Sequence, residues 1–271
     1  RMLSGDGSTL SSAVRLVLSW LQRENVFKPW EAFYDDIVAW ATQAPEPYFL
    51  WVFLLDVHFP YLPTGQFRSQ SRLREYEANL RLYTETQEDY SDRVHDQLST
   101  AYDDAARYTD QFFARLQADL DDPLIVVTGD HGEAFGEHGT YTHQDCLYEE
   151  NIRVPLVVSG GPSGRLTEPV SLRSMPELIE GLAVNGTVPD LGEPFAISRS
   201  NSGDSHAACG RRAKYIERED GAELYDLQDT EHTLVKNEAL EQVCQDVVAN
   251  AREHSMEQAR LTTAATEVDG L

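Results

Sequence analysis

Apolar residues are spaced along this chain in two distinct ways. In the first they return every three or four positions, the repeat of a helix with one buried face. Trp30, Phe33, Ile37 and Trp40 do so and predict a helix over 29–43, which Pro45 and Pro47 end. Tyr102, Ala105, Tyr108, Phe112 and Leu116 make one stripe along a helix predicted over 86–120. Residues 10–23 and 174–183 read as shorter helices, and the tail from 238 is helical. In the second way apolar residues run without a break: FLWVFLL (49–55), LIVV (124–127) and VPLVVS (154–159). Such runs predict strands covered on both faces. RRAKYIE and AELYDL, separated by REDG, predict a hairpin. Between about 185 and 206 Gly, Pro, Ser and Asn accumulate, which predicts a linker or long loop.

Strands alternating with helices predict an α/β layered sheet with helices on both faces. The expected division is a main α/β domain over 1–185, a linker or loop over 186–206, and a small hairpin-and-helix subdomain over 207–271. In such sheets ligands bind at the carboxyl ends of strands. Two of the apolar runs end in ionisable residues there: Asp56-Val57-His58 follows the first, and Asp130-His131-Gly132 follows the second.

A carboxylate beside an imidazole offers two ligands to one divalent ion, and the glycine permits the tight turn that aims both into a cleft. An Asp capping a helix, followed by an exposed His, is the plainer reading of Asp130 and His131. His58 could bond an anion or protonate a leaving group, or be a partly buried structural histidine. His138 and His143 lie in polar loops, where a histidine serves as an anion contact or simply as a loop residue. Glu133 and Glu137 fit a helix first turn or a shell around a metal. No glycine-rich phosphate loop and no G-x-S-x-G elbow occurs.

Charge narrows the picture. The 271 residues carry 46 acids against 22 bases, a net charge of -24, and only three of the bases are lysines (Lys28, Lys214 and Lys236). Such a surface repels nucleic acid and stays soluble in strong salt, where its self-repulsion is screened. Cys146, Cys209 and Cys244 show neither zinc spacing nor a disulfide framework. A reducing, cytoplasmic location is expected. No apolar run reaches the length of a membrane span. The first residue is Arg1, so further sequence upstream is expected.

Four blocks in order resemble the sulfatase family of the alkaline phosphatase superfamily. They are PYFLWVFLLDVHFPYLP, AYDDAARYTDQFFARLQADL, VVTGDHGEAFGEHGTY with LYEENIRVPLVV, and RRAKYIEREDGAELYDLQDTEH. The resemblance implies an alkaline-phosphatase-like fold and metal-dependent hydrolysis of sulfate monoesters. It places the metal, usually Ca2+ with Mn2+ or Zn2+ as alternatives, on Asp130 and His131. It places His58 at the sulfate or the leaving oxygen. Many members have a sulfate-binding lysine where Gln144 stands, so His143 is the substitute candidate for the anion contact and His138 a further one. Domain 1–185 then reads as the carboxyl-terminal part of the catalytic domain. Together with the acidic composition, a haloarchaeal source is expected.

The family's nucleophile is a formylglycine made from the Cys or Ser of a Cys/Ser-x-Pro-x-Arg segment, and no such segment occurs in residues 1–271. The resemblance implies that it lies upstream and that these residues alone are inactive. A phosphoester or phosphonate hydrolase, or a phosphoethanolamine transferase, of the same superfamily is the alternative. A non-catalytic relic that binds an anion or a partner is the other. The substrate is expected to be a small sulfated or phosphorylated molecule.

Overall fold

The computed structural model describes residues 28–84, 90–143, 145–227 and 233–269. The helix expected over 10–23 and the anion-site candidate Gln144 lie outside them. The chain is mixed α/β and divides into two compact units. The first holds the chain up to Ile125 together with Glu133–Thr142; the second holds Val126–Gly132 and everything from His143 on.

The first unit is built on helices. A 3-10 turn, Trp30–Ala32, leads into α1 (Tyr34–Ala41), and α2 (Arg72–Thr84) precedes the long α3 (Asp92–Asp119). The expected stripe on α3 is buried at Ala105, Tyr108, Phe112 and Leu116, and extends back to Val94, Leu98 and Ala101. Its two ends serve separate clusters. Val94, Leu98 and Ala101 pack with Tyr61, Ala78 and Tyr141, whereas Tyr108, Phe112 and Leu116 pack with Trp30 and Tyr34. Asp104 is fully buried on α3; it accepts hydrogen bonds from Ser69 N (2.7 Å) and Ser69 Oγ (2.8 Å) and pairs with Arg107. Glu75 on α2 is equally buried and pairs with Arg68 at 3.2 Å. Loss of water pushes its carboxyl up to about 7 despite Arg68.

One expectation fails here. Residues 49–55 form no strand, and Phe49, Trp51 and Phe53 are 70%, 79% and 58% exposed. Val52 and Leu54, on the alternate face, pack against the Trp30 cluster. The segment is thus extended and one-sided. An unbroken apolar run carries no information about which face has a partner.

Strand β1 (Ile125–Thr128) pairs with β4 (Leu156–Ser159), and the short β2 (Ala134–Phe135) with β3 (Tyr141–Thr142). β1 and β4 are only half-buried, Val157 being 56% exposed, rather than covered on both faces as expected. A sheet of two strands has too little area to hold a layer on each side. Val126, Leu156 and Val158 pack on Leu178 of α5 (Met175–Glu180). α4 (Glu149–Ile152) lies between β3 and β4 in sequence.

The second unit ends in an antiparallel five-stranded sheet in the order β5-β6-β7-β8-β9, with α6 (Glu238–Asp269) after it. β6 (His206–Gly210), β7 (Ala213–Arg218) and β8 (Gly221–Asp226) contain the expected hairpin, and β9 is Thr233–Leu234. β5 (Phe195–Arg199) lies inside the stretch expected as linker or loop. Five residues beside Pro194 and a Ser/Asn-rich loop give too short a pattern to register against that composition. The sheet is covered on both faces. Ala208, Tyr215 and Leu224 face Cys244 and Val248 of α6; Ala207, Ile216 and Tyr225 face Leu147, Tyr148 and Ile152. Among the described residues no helix is long and apolar enough to cross a membrane.

Candidate metal centre

β1 delivers the Asp-His-Gly turn. His131 N donates to Asp130 Oδ1 at 3.2 Å, and the turn closes where Gly132 N donates to Asn151 O at 2.8 Å. Only glycine fits at 132, because a Cβ there would lie 2.1 Å from Glu150 O. His131 Nδ1 lies 2.8 Å from Gly132 O. A carbonyl only accepts, so Nδ1 carries the proton and Nε2 the lone pair. Nε2 then sits 3.9 Å from Asp130 Oδ1, with both side chains open to solvent.

That spacing is too long for a hydrogen bond. It fits two atoms held by one ion, since ligands each about 2.0–2.3 Å from a metal are at most roughly 4.5 Å apart. His143 adds a third group. Its ring lies beside that of His131, centroids 4.5 Å apart and tilted by 33°, with their ligand nitrogens within 4.8 Å. Asp130 with His131, and His131 with His143, each offer two ligand atoms at a spacing that one divalent ion can bridge.

His143 is placed by its neighbours. Thr142 has a φ of 67° and turns the chain into it. Two residues on, Asp145 accepts from Asn201 N at 2.5 Å and Ser202 N at 2.9 Å, bonds that hold its carboxyl below the usual range. The loop carrying His143 is thereby tied to the connection between β5 and β6.

The turn and both histidines line a cleft of about 1640 Å3 in the second unit. Arg153, Arg165, Arg173, Arg199 and Arg211 also line it, against four carboxylates, Asp130, Asp145, Glu149 and Glu168. Bases outnumber acids here, five to four, in a chain where acids outnumber bases 46 to 22. The cleft is therefore less acidic than the chain as a whole, which favours an anion there.

Beneath the cleft lies a pair that sequence reading did not find. Lys214 of β7, 1% exposed, donates to Glu149 Oε1 at 3.0 Å. Cys209 Sγ donates to the same oxygen at 3.4 Å, and Arg153 reaches Oε2 at 3.9 Å. Burial pulls the Lys214 ammonium down against the pull of Glu149. Glu149 is held below its usual range, where burial is opposed by Lys214. Burial and the Glu149 charge push the Cys209 thiol up to about 12, which makes it a poor nucleophile. The available signal was composition: one of only three lysines stands in a strand.

The remaining candidates belong to the first unit. His58 lies just past the exposed 49–53 segment, its N bonded to Leu55 O at 3.1 Å and its Nδ1 2.6 Å from Phe59 O. His138 sits in the turn between β2 and β3. Glu133, the first residue after the metal turn, accepts from Tyr61 Oη at 2.6 Å.

Residues 19–167 match the sulfatase family. Among curated proteins no sequence matches the chain. Several solved structures are similar, two of which follow. One, from Bacteroides thetaiotaomicron VPI-5482 and assigned as a sulfatase, has 15% identity and a TM-score of 0.48, covering 83% of this chain and 61% of that one. The other, described as a 2-O GAG sulfatase, has 14% identity and a TM-score of 0.45, covering 89% of this chain and 59% of that one. The chain thus spans about 60% of the length of these structures.

Proposed function

This chain belongs to the sulfatase family, and on that premise we propose that it carries the metal turn and part of the anion pocket of a divalent-metal-dependent sulfate-monoester hydrolase. The observation that carries the reading is the chelating spacing of Asp130 Oδ1 and His131 Nε2, with the His143 ring beside that of His131. Asp130 and His131, with His143, would hold the ion; when bound, it supplies a positive centre that neutralises a sulfate oxygen. The chain's own groups do the rest. Gly132 fixes the turn through Asn151, His131 Nδ1 keeps its proton and donates it to Gly132 O, and the cleft arginines draw the anion in. His58 is assigned to the sulfate or the leaving oxygen, with His138 and Gln144 as further anion contacts.

Residues 1–271 contain no Cys/Ser-x-Pro-x-Arg segment, and the Cys209 thiol is poorly activated. By themselves they are expected to turn over no sulfate ester. The test is therefore binding. 4-Nitrophenyl sulfate with diamagnetic Zn2+ should shift the ring resonances of His131 and His143 and leave His254 unmoved. If 4-nitrophenyl phosphate shifts them at lower concentration, the superfamily's phosphoester chemistry is the better reading. If neither ester shifts them, the anion-pocket reading falls and a non-catalytic relic that binds a partner is the better reading.

The acidic, lysine-poor surface is assigned to adaptation to high salt, in keeping with a haloarchaeal source. A Debye length of about 10 Å at 0.1 M leaves neighbouring carboxylates repelling; about 3 Å at 1 M screens them. The melting temperature is expected to rise steadily with added KCl. A flat or falling curve removes the salt-adapted reading.

A further inference from the structure

The geometry points to Lys214 as a positioning residue for the metal turn, acting through Glu149 and α4. Its chemical meaning rests on the metal reading above; its mechanics do not.

The connections are short and lie within the second unit. In the β6–β7–β8 ladder Cys209, Lys214 and Tyr225 stand in one row. By strand alternation this row shares a face with Ala207 and Ile216, the face covered by Leu147, Tyr148 and Ile152 around α4. Lys214 Nζ rises from that face to Glu149 Oε1 at 3.0 Å, at the first residue of α4. Two residues later Asn151 O receives Gly132 N at 2.8 Å. The backbone of α4 and that of the turn are in close contact, since a Cβ on Gly132 would meet Glu150 O. Any displacement of α4 is therefore passed to Asp130 and His131.

A helix of four residues cannot hold its own position by backbone bonding alone. Tyr148 precedes it with no side-chain capping bond. Apolar contacts of Leu147 and Ile152 fix its distance from the sheet, but apolar contact is non-directional. The Lys214–Glu149 bond supplies the lateral register. A hydrophobic pair of the same volume would serve stability as well or better. Placing an ion pair there is consistent with specifying position.

The test compares Lys214→Met and Glu149→Gln with the wild-type chain by deuterium exchange at single amides and by histidine ring resonances. In Lys214→Met the Gly132 amide should accelerate at least tenfold more than the amides of the β6–β7 ladder, whose smaller change reports the stability lost with the pair. The His131 ring resonance should shift as the ring moves relative to His143. Glu149→Gln, which keeps the size and one acceptor, should show the same pattern with smaller changes and remain folded if Lys214→Met does not. Unchanged Gly132 exchange in both variants would overturn the proposal. So would an equal acceleration at Gly132 and throughout the ladder, which marks lost stability alone. If Asp130→Ala leaves Mn2+ binding unchanged, the metal reading falls, and the exchange result on Lys214 still stands or falls by itself.

Discussion

Gly132→Ala is expected to unfold the metal turn or the unit that holds it. The added carbon would lie 2.1 Å from Glu150 O and 3.0 Å from Glu150 C, both backbone atoms that cannot swing aside. Either the turn separates from α4, breaking the 2.8 Å bond to Asn151 O, or α4 moves on the sheet. Forced overpacking of this kind costs about 3 kcal/mol. In a chain of this size that lowers the melting temperature by roughly 6–12 °C. Gly164→Ala is the control, because its added carbon meets nothing within 4 Å. Thermal melts should separate the two variants. Equal melting temperatures would mean that the turn does not approach α4 as described.

Glu149→Ala should be as damaging, for an electrostatic reason. It leaves Lys214, 1% exposed, without the carboxylate 3.0 Å away. Removing one partner of a buried pair costs about 3–5 kcal/mol, because the remaining charge has lost both water and counter-charge. The sign of the pH dependence follows. The folded pKa of Lys214 is already lowered from 10.5, and losing Glu149 lowers it further. A lysine whose folded pKa lies below its unfolded value destabilises the fold while charged. That penalty is full below the folded pKa and disappears as pH rises towards 10.5. The stability gap between wild type and Glu149→Ala should therefore be widest near neutrality and narrow towards pH 10. A gap independent of pH would show that Lys214 is not the group left stranded.

How much of this was legible in the chain depends on the range of the interaction. The stripe on α3 was legible because Ala105, Tyr108, Phe112 and Leu116 recur at the helical period and meet one core. The hairpin of β7 and β8 was legible because its turn residues sit between two alternating segments. Asp130-His131-Gly132 could be singled out because the chemistry and the glycine are adjacent. Lys214 and Glu149 are 65 positions apart, and nothing local marks them as partners. The 49–55 run was half legible: its extension and its packed face were as expected, and its exposed face was not. Burial of the second face depends on what lies opposite, which a run of Phe, Leu, Trp and Val does not encode.

The central claim, that Asp130, His131 and His143 form a divalent-metal centre, is tested most directly by titrating Mn2+ into the chain and recording the histidine ring resonances. Paramagnetic broadening falls steeply with distance from the ion. The rings of His131 and His143 should broaden first, well before those of His206 and His254, and Asp130→Ala should abolish that preference. Broadening that is equal across all histidines, or unchanged by Asp130→Ala, would contradict the assignment.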